Sequence, residues 1–271
     1  MPQDNYVKIK RFGVLSVART FAIFGVAAGM VALLISVAVG ASGLVPGFSV
    51  VAGVGIGLVV LVVSIVCTFI GGAVESFLYN MIVKAVGAVR IVLVKGAISK
   101  VDPLSYAKVS FVFGIIIYGL LALCVSSVLL ATIGVNSSGV ASTSLVASAF
   151  VFALILYGFV LPYIWALIYN WLAGNIGGIG VVIEKDVLQR VDVWSYVKVM
   201  VALSVIVFIL ERVIGTAVGI ALRMPAPGQV LVAVAGFFAV IVVSLVANIL
   251  LAWFYNVVAK RFGGIGVHIK K

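Results

Sequence analysis

Charge is what this sequence has least of. Its 271 residues hold seven Asp and Glu and one His, against 18 Lys and Arg. So few carboxylates and imidazoles remove the groups from which most acid–base pairs and metal centres are assembled. The two cysteines, Cys67 and Cys124, lie inside apolar runs at positions that do not correspond. They read as small buried hydrophobes, not as a redox or metal pair. The sequence has no Gly-rich phosphate loop ending in Lys, no nucleophile elbow, and no matched His or Met ligands for a haem. The expectation is a non-enzymatic chain with no cofactor and no metal site. The net charge of +11 does not point to direct contact with nucleic acid, because the cations gather at the ends of apolar runs rather than in a surface stripe.

What is abundant is apolar surface. Hydrophobic residues make up 65% of the chain and charged ones 9%, where a soluble domain is nearer half and a quarter. Several runs exceed the ~20 residues a helix needs to cross the hydrocarbon core. The chain therefore reads as a multi-pass membrane protein. The first run, after Phe12, is too long for a signal-peptide core, although Ala38-Val39-Gly40-Ala41 imitates a cleavage site.

One phrase recurs three times. Tyr79-Asn80 leads to Gly87, Tyr169-Asn170 to Gly177 and Tyr255-Asn256 to Gly263, each Gly eight residues after its Tyr and followed by branched residues. The Tyr spacings are 90 and 86. A second phrase keeps step with it at Ser16-Val17-Ala18-Arg19, Ser105-Tyr106-Ala107-Lys108 and Ser195-Tyr196-Val197-Lys198. Two motifs sharing one period indicate a triplicated unit.

The units are 1–96, 97–185 and 186–271, each strand, helix, helix, strand. Helices are expected at about 14–38 and 50–84, then 103–133 and 144–175, then 194–222 and 229–261. Short alternating segments such as Tyr6–Lys10 and 88–95 read as strands. The expected fold is an all-α membrane protein of six transmembrane helices, three tandem hairpins about a pseudo-threefold axis, capped by paired short strands. Of the basic residues, Arg223 lies at a hairpin tip, Arg212 lies within a helix, and the rest cluster at the strand-bearing ends. The positive-inside rule puts those ends and both termini in the cytoplasm, against the anionic lipids of a prokaryotic cell membrane.

Scaffolding suits the repeated residues. The glycines can take the left-handed conformation that ends a helix. The asparagines can hydrogen-bond across helices, the tyrosines suit headgroup depth, and the serines stand at helix N-caps or in first turns. A ligand or ion site is the alternative. Seven residues before each Tyr stand Gly72, Pro162 and Asn248, candidates for a helix bend. Glu211 and Arg212 belong to the third unit alone, roughly 20 Å along the helix from Lys198. They form either a functional intramembrane pair or an anchor, with Arg212 reaching for the outer surface. Gly215 and Gly219, on the Glu211 stripe, favour close contact with another helix. Glu75 reads as an interfacial carboxylate.

The entry Val101-Asp102-Pro103-Leu104-Ser105 and the exits Tyr169-Asn170 to Gly177-Gly178-Ile179 and Tyr255-Asn256 to Gly263-Gly264-Ile265 resemble a family of small two-helix bacterial membrane proteins of unknown function, best known from actinobacteria. Val191-Asp192-Val193-Trp194-Ser195 matches the entry without its Pro, Phe12 to Ser16 keeps the Ser only, and the first exit has Ala88 for the second Gly. The resemblance implies a fold unit and a membrane location, and no activity. The functional expectation is a scaffold or accessory subunit of a larger membrane complex, bound to a membrane-protein partner or to itself. The alternative is a channel or small-solute carrier, or part of a macromolecule-translocating pore.

Overall fold

The structure, a computed structural model, describes residues 6–117, 156–221 and 229–270. In chain order these form β1 (Tyr6–Phe12), α1 (Val14–Ser42), α2 (Val50–Val86), β2 (Val89–Val94), β3 (Ala97–Val101) and α3 (Pro103–Ile117). Then come a π-helical turn (Leu156–Val160), α4 (Leu161–Ile176), β4 (Ile179–Glu184), β5 (Val187–Val191), α5 (Val193–Ala221), α6 (Gln229–Phe262) and β6 (Ile265–Lys270). Among the described residues five helices are long and apolar enough to cross a membrane, and α3 is a shorter apolar one. The chain is a helical membrane protein. The turns expected at 134–139 and 223–228 lie outside the described residues.

The strands do more than flank the hairpins. They pair antiparallel in chain order, and β6 returns to β1, so six strands close a barrel. Closure leaves no strand edge open. Two seams are tight hairpins, turning at Lys95-Gly96 and Lys185-Asp186. All four turn residues have positive φ, between 49° and 77°, the sign that matches two-residue hairpins to strand twist. The third seam, β6 with β1, joins segments far apart in the chain. Each of these three seams carries a register shift, at Ile9/Arg11, Val92/Leu93 and Val182/Ile183. A bulge bends the strand that holds it, which a six-stranded ring requires.

Alternation along the strands turns Val7, Val89 and Ile91 into a buried cluster that continues into Ile82 on α2 and Val109 on α3. The core therefore sits where the helices meet the barrel. Beyond it the helices turn outward: only 6–28% of the apolar span windows is buried. Within the first hairpin α1 and α2 approach closely through glycines. A Cβ on Gly29 would meet the backbone of Leu61, one on Gly53 the carbonyl of Ser36, and one on Gly57 the backbone of Leu33. Small residues bring helices together where lipid offers no hydrophobic drive.

Candidate functional site

The repeated polar residues gather at the junction of barrel and helices, where each unit's second helix ends beside its own entry strand. Asn80 makes a two-bond clasp on that strand: its Oδ1 accepts from the N–H of Phe12 and its Nδ2 donates to the carbonyl of Phe12, both at 2.8 Å. Asn170 holds Val101 in the same way at 2.7 Å, and Asn256 holds Val191 at 2.8 and 2.7 Å. An amide side chain mimics a strand neighbour here, satisfying one donor and one acceptor at once.

The tyrosines extend the clasp. The hydroxyls of Tyr79, Tyr169 and Tyr255 donate to the carbonyls of Ile9, Ile98 and Leu188 at 2.7, 2.5 and 2.6 Å. Tyr169 and Tyr255 also accept, at longer range, from the N–H groups of Ile179 and Ile265 on the exit strand. One hydroxyl thus bridges the two strands of its own unit.

The serines tie neighbouring units together. Each lies in the first turn of its helix, three residues past the capping position. The hydroxyls of Ser16, Ser105 and Ser195 donate to the carbonyls of Gly13, Asp102 and Asp192. They accept from the N–H groups of Gly266, Arg90 and Gly180, at 2.8, 3.0 and 2.8 Å. Those donors sit on the exit strand of the preceding unit. For Ser16 the preceding unit is the third, so the pattern runs round the ring. The N-cap role belongs instead to Asp102 and Asp192, which accept from Leu104 N and Ser195 N. The Ser195 amide and hydroxyl pull the Asp192 carboxyl below its usual pKa.

The exit glycines differ from expectation in detail. Gly87 and Gly177 have φ of 89° and 88° with ψ of 157° and 150°. That is the extended mirror region open to glycine, not the left-handed helical region. The next glycine is fixed by space: a Cβ on Gly178 would overlap the carbonyl oxygen of Ile98, and one on Gly264 that of Leu188. These carbonyls are the ones the tyrosines hold.

The candidate bends resolve into different uses. α2 runs unbroken through Gly72, whose missing side chain admits Phe21 and Ala18. α6 runs unbroken through Asn248, which donates to the carbonyl and hydroxyl of Ser244, itself bonded to Ser204 on α5. Only at Pro162 does helix geometry change nearby, with the π-helical turn ending at Val160. Arg212 lies over the ring of Phe208, 5.1 Å from its centroid. The side chain of Glu211 lies outside the described residues, and the expected Glu211–Arg212 pair lies outside them with it. Cys67 is exposed, while Cys124 is outside the described residues. Among the described residues there is no cluster of three His, Cys, Asp or Glu side chains. His268 meets Asp186 at 2.9 Å, an exposed contact between β6 and a hairpin turn.

No protein-family model matches the chain, and no characterised protein or solved structure matches it.

Proposed function

We propose that the chain is a non-enzymatic, six-span scaffold of a prokaryotic cell membrane, an accessory subunit that holds other membrane helices in a larger complex. Its three hairpins are tied on the cytoplasmic side by the barrel. The observation that carries this reading is the use made of the repeated polar residues. Every Tyr, Asn and Ser of the three sets is bonded to barrel or helix backbone. A set fully engaged in backbone bonds serves geometry, not chemistry. Away from that ring the helices present wide apolar flanks, including Val59, Val62, Val63 and Phe77 on α2 and Val242, Val243, Leu250 and Trp253 on α6. Such flanks need lipid or another protein's helices against them. Three tandem copies of a two-helix membrane unit, as the motif resemblance implies, belong to the same reading.

The test is purification of the chain from its native membrane in mild detergent. The scaffold reading expects a second membrane protein in fixed stoichiometry. A chain that emerges alone, and that conducts ions or solutes after reconstitution, contradicts it.

A further inference from the structure

The three junctions between units are built from the same backbone contacts but not from the same charges. At the first, where α2 and β2 hand over to α3, a cavity of about 490 Å³ opens beside the barrel. Lys8, Lys10, Lys84, Arg90 and Lys108 line it, with Val83, Val86 and Leu104 forming its apolar part. No acidic residue is among those lining it. Arg90 alone has a counter-charge, with Nη2 2.6 Å from Asp102 Oδ2. The side chains of Lys8, Lys10, Lys84 and Lys108 have no hydrogen-bond or ion-pair partner among the described residues.

The hydroxyl and amide bonds give the correspondence between junctions. At the second, the five positions are Ala97, Ser99, Gly174, Gly180 and Lys198; at the third they are Val187, Gln189, Lys260, Gly266 and Arg19. Five cations therefore face one and two. At the poorer junctions the shared cation has a structural task. Lys198 donates to the last helical carbonyl of α4, Ile176, at 3.3 Å, and Arg19 to that of α6, Phe262, at 2.5 Å. Two junctions close without the extra charges, so the fold does not require them. Pairing even opposes them: Lys8 stands directly across from Arg90 on one side and Lys270 on the other. Like charges facing one another across strands are destabilising. Uncompensated cations around a cavity, at the end of an apolar helix, fit a ligand that brings the negative charge.

We propose that this cavity binds a phosphate ester bearing two or more negative charges, its oxygens held by Lys8, Lys84, Arg90 and Lys108. The apolar wall of Val83, Val86 and Leu104 suits the glycerol and first acyl carbons of a lipid that carries the phosphate. The lipid source rests on the membrane reading above; the anion site itself does not.

The test uses the full chain in neutral detergent, titrated with dioctanoyl phosphatidic acid, dioctanoyl phosphatidylcholine and inorganic pyrophosphate, with bound copies counted by native mass spectrometry. One phosphatidic acid per chain is expected, with no comparable phosphatidylcholine binding. Affinity should fall at least tenfold in the Lys8→Gln/Lys84→Gln/Lys108→Gln variant. It should stay within twofold in Lys185→Gln/Arg190→Gln/Lys260→Gln, which loses the same charge elsewhere. Equal losses in both variants, or none in the first, overturn the site. Pyrophosphate binding at least as tight as phosphatidic acid keeps the site and makes its ligand a soluble phosphate. Should the first variant fail to fold, the wild type decides: binding that does not weaken between 50 and 300 mM salt overturns the proposal. Carbonate extraction separates the two readings. A chain released from membranes refutes the membrane assignment and leaves the pyrophosphate arm to judge the anion site.

Discussion

The barrel end and the membrane end of this molecule solve opposite problems. At the barrel end, backbone donors and acceptors of short strands must be satisfied beside helix termini, and the same three side chains do it in each unit. At the membrane end, the helices satisfy their own backbone, and side chains differ freely between units. The hairpin that contains Gly25 and Gly29 against Thr68 and Leu61 in the first unit uses Ser204, Ser244 and Asn248 in the third. Repetition is strict where polar groups are few and geometry is fixed, and loose where apolar surface can be filled in many ways. A side chain's repetition here therefore marks the backbone it must reach.

Substitutions at the barrel end should cost far more stability than substitutions at the membrane end. The largest effect is expected from Gly264→Ala, whose Cβ would overlap the carbonyl of Leu188. Displacing that strand should cost about 3 kcal/mol or more, seen as a large drop in melting temperature in detergent. Asn170→Ala removes both bonds to Val101 and should cost about 2 kcal/mol by the same measurement. Ser195→Ala frees the N–H of Gly180 and should cost about 1 kcal/mol. Val62→Ala, on an exposed stretch of α2, should leave melting almost unchanged. A drop as large as that of Asn170→Ala would place structural weight at the membrane end and dissolve the comparison. The smallest effect concerns acid. The Asp192 carboxyl has a lowered pKa, so its stabilising contribution is present above the unfolded-state value, ~3.9, and fades as pH falls through the lower folded one. Asp192→Asn should therefore flatten the melting-temperature profile below about pH 4 and leave it parallel above pH 5.

Much of the helical layout is legible in the sequence because it is local. Uninterrupted apolar runs set α1, α2 and α6 to within a few residues of expectation, and alternation marks β1 and β2. The barrel is not legible in that way. Its closing contacts join Ser16 to Gly266, 250 residues apart, and no local pattern encodes such a partner. Ser16, Ser105 and Ser195 read as helix caps or first-turn residues; they lie in the first turns and do not cap. Their hydroxyls are bonded across a seam instead. The Lys185-Asp186 turn is hard to find in the sequence because neither residue is the glycine that positive φ usually demands. The basic cavity is equally hidden, since Lys8, Lys84 and Lys108 look like ordinary interfacial cations until β1, α2 and α3 bring them together. The expectation for Glu211 rests on burial along a helix face, a property of the assembled bundle.

The ring closes between its first and last strands. Arg11 and His268 are facing partners on β1 and β6, and both are exposed. Facing positions on antiparallel strands fall within disulfide reach. The direct measurement is oxidation of an Arg11→Cys/His268→Cys chain in purified membranes, with crosslinked peptides mapped by mass spectrometry. A closed barrel predicts an intramolecular disulfide between the two introduced cysteines in most chains under mild oxidant, at a yield that does not change when the protein is diluted in detergent. Free thiols at both positions, or only crosslinks between chains, would contradict the closed ring.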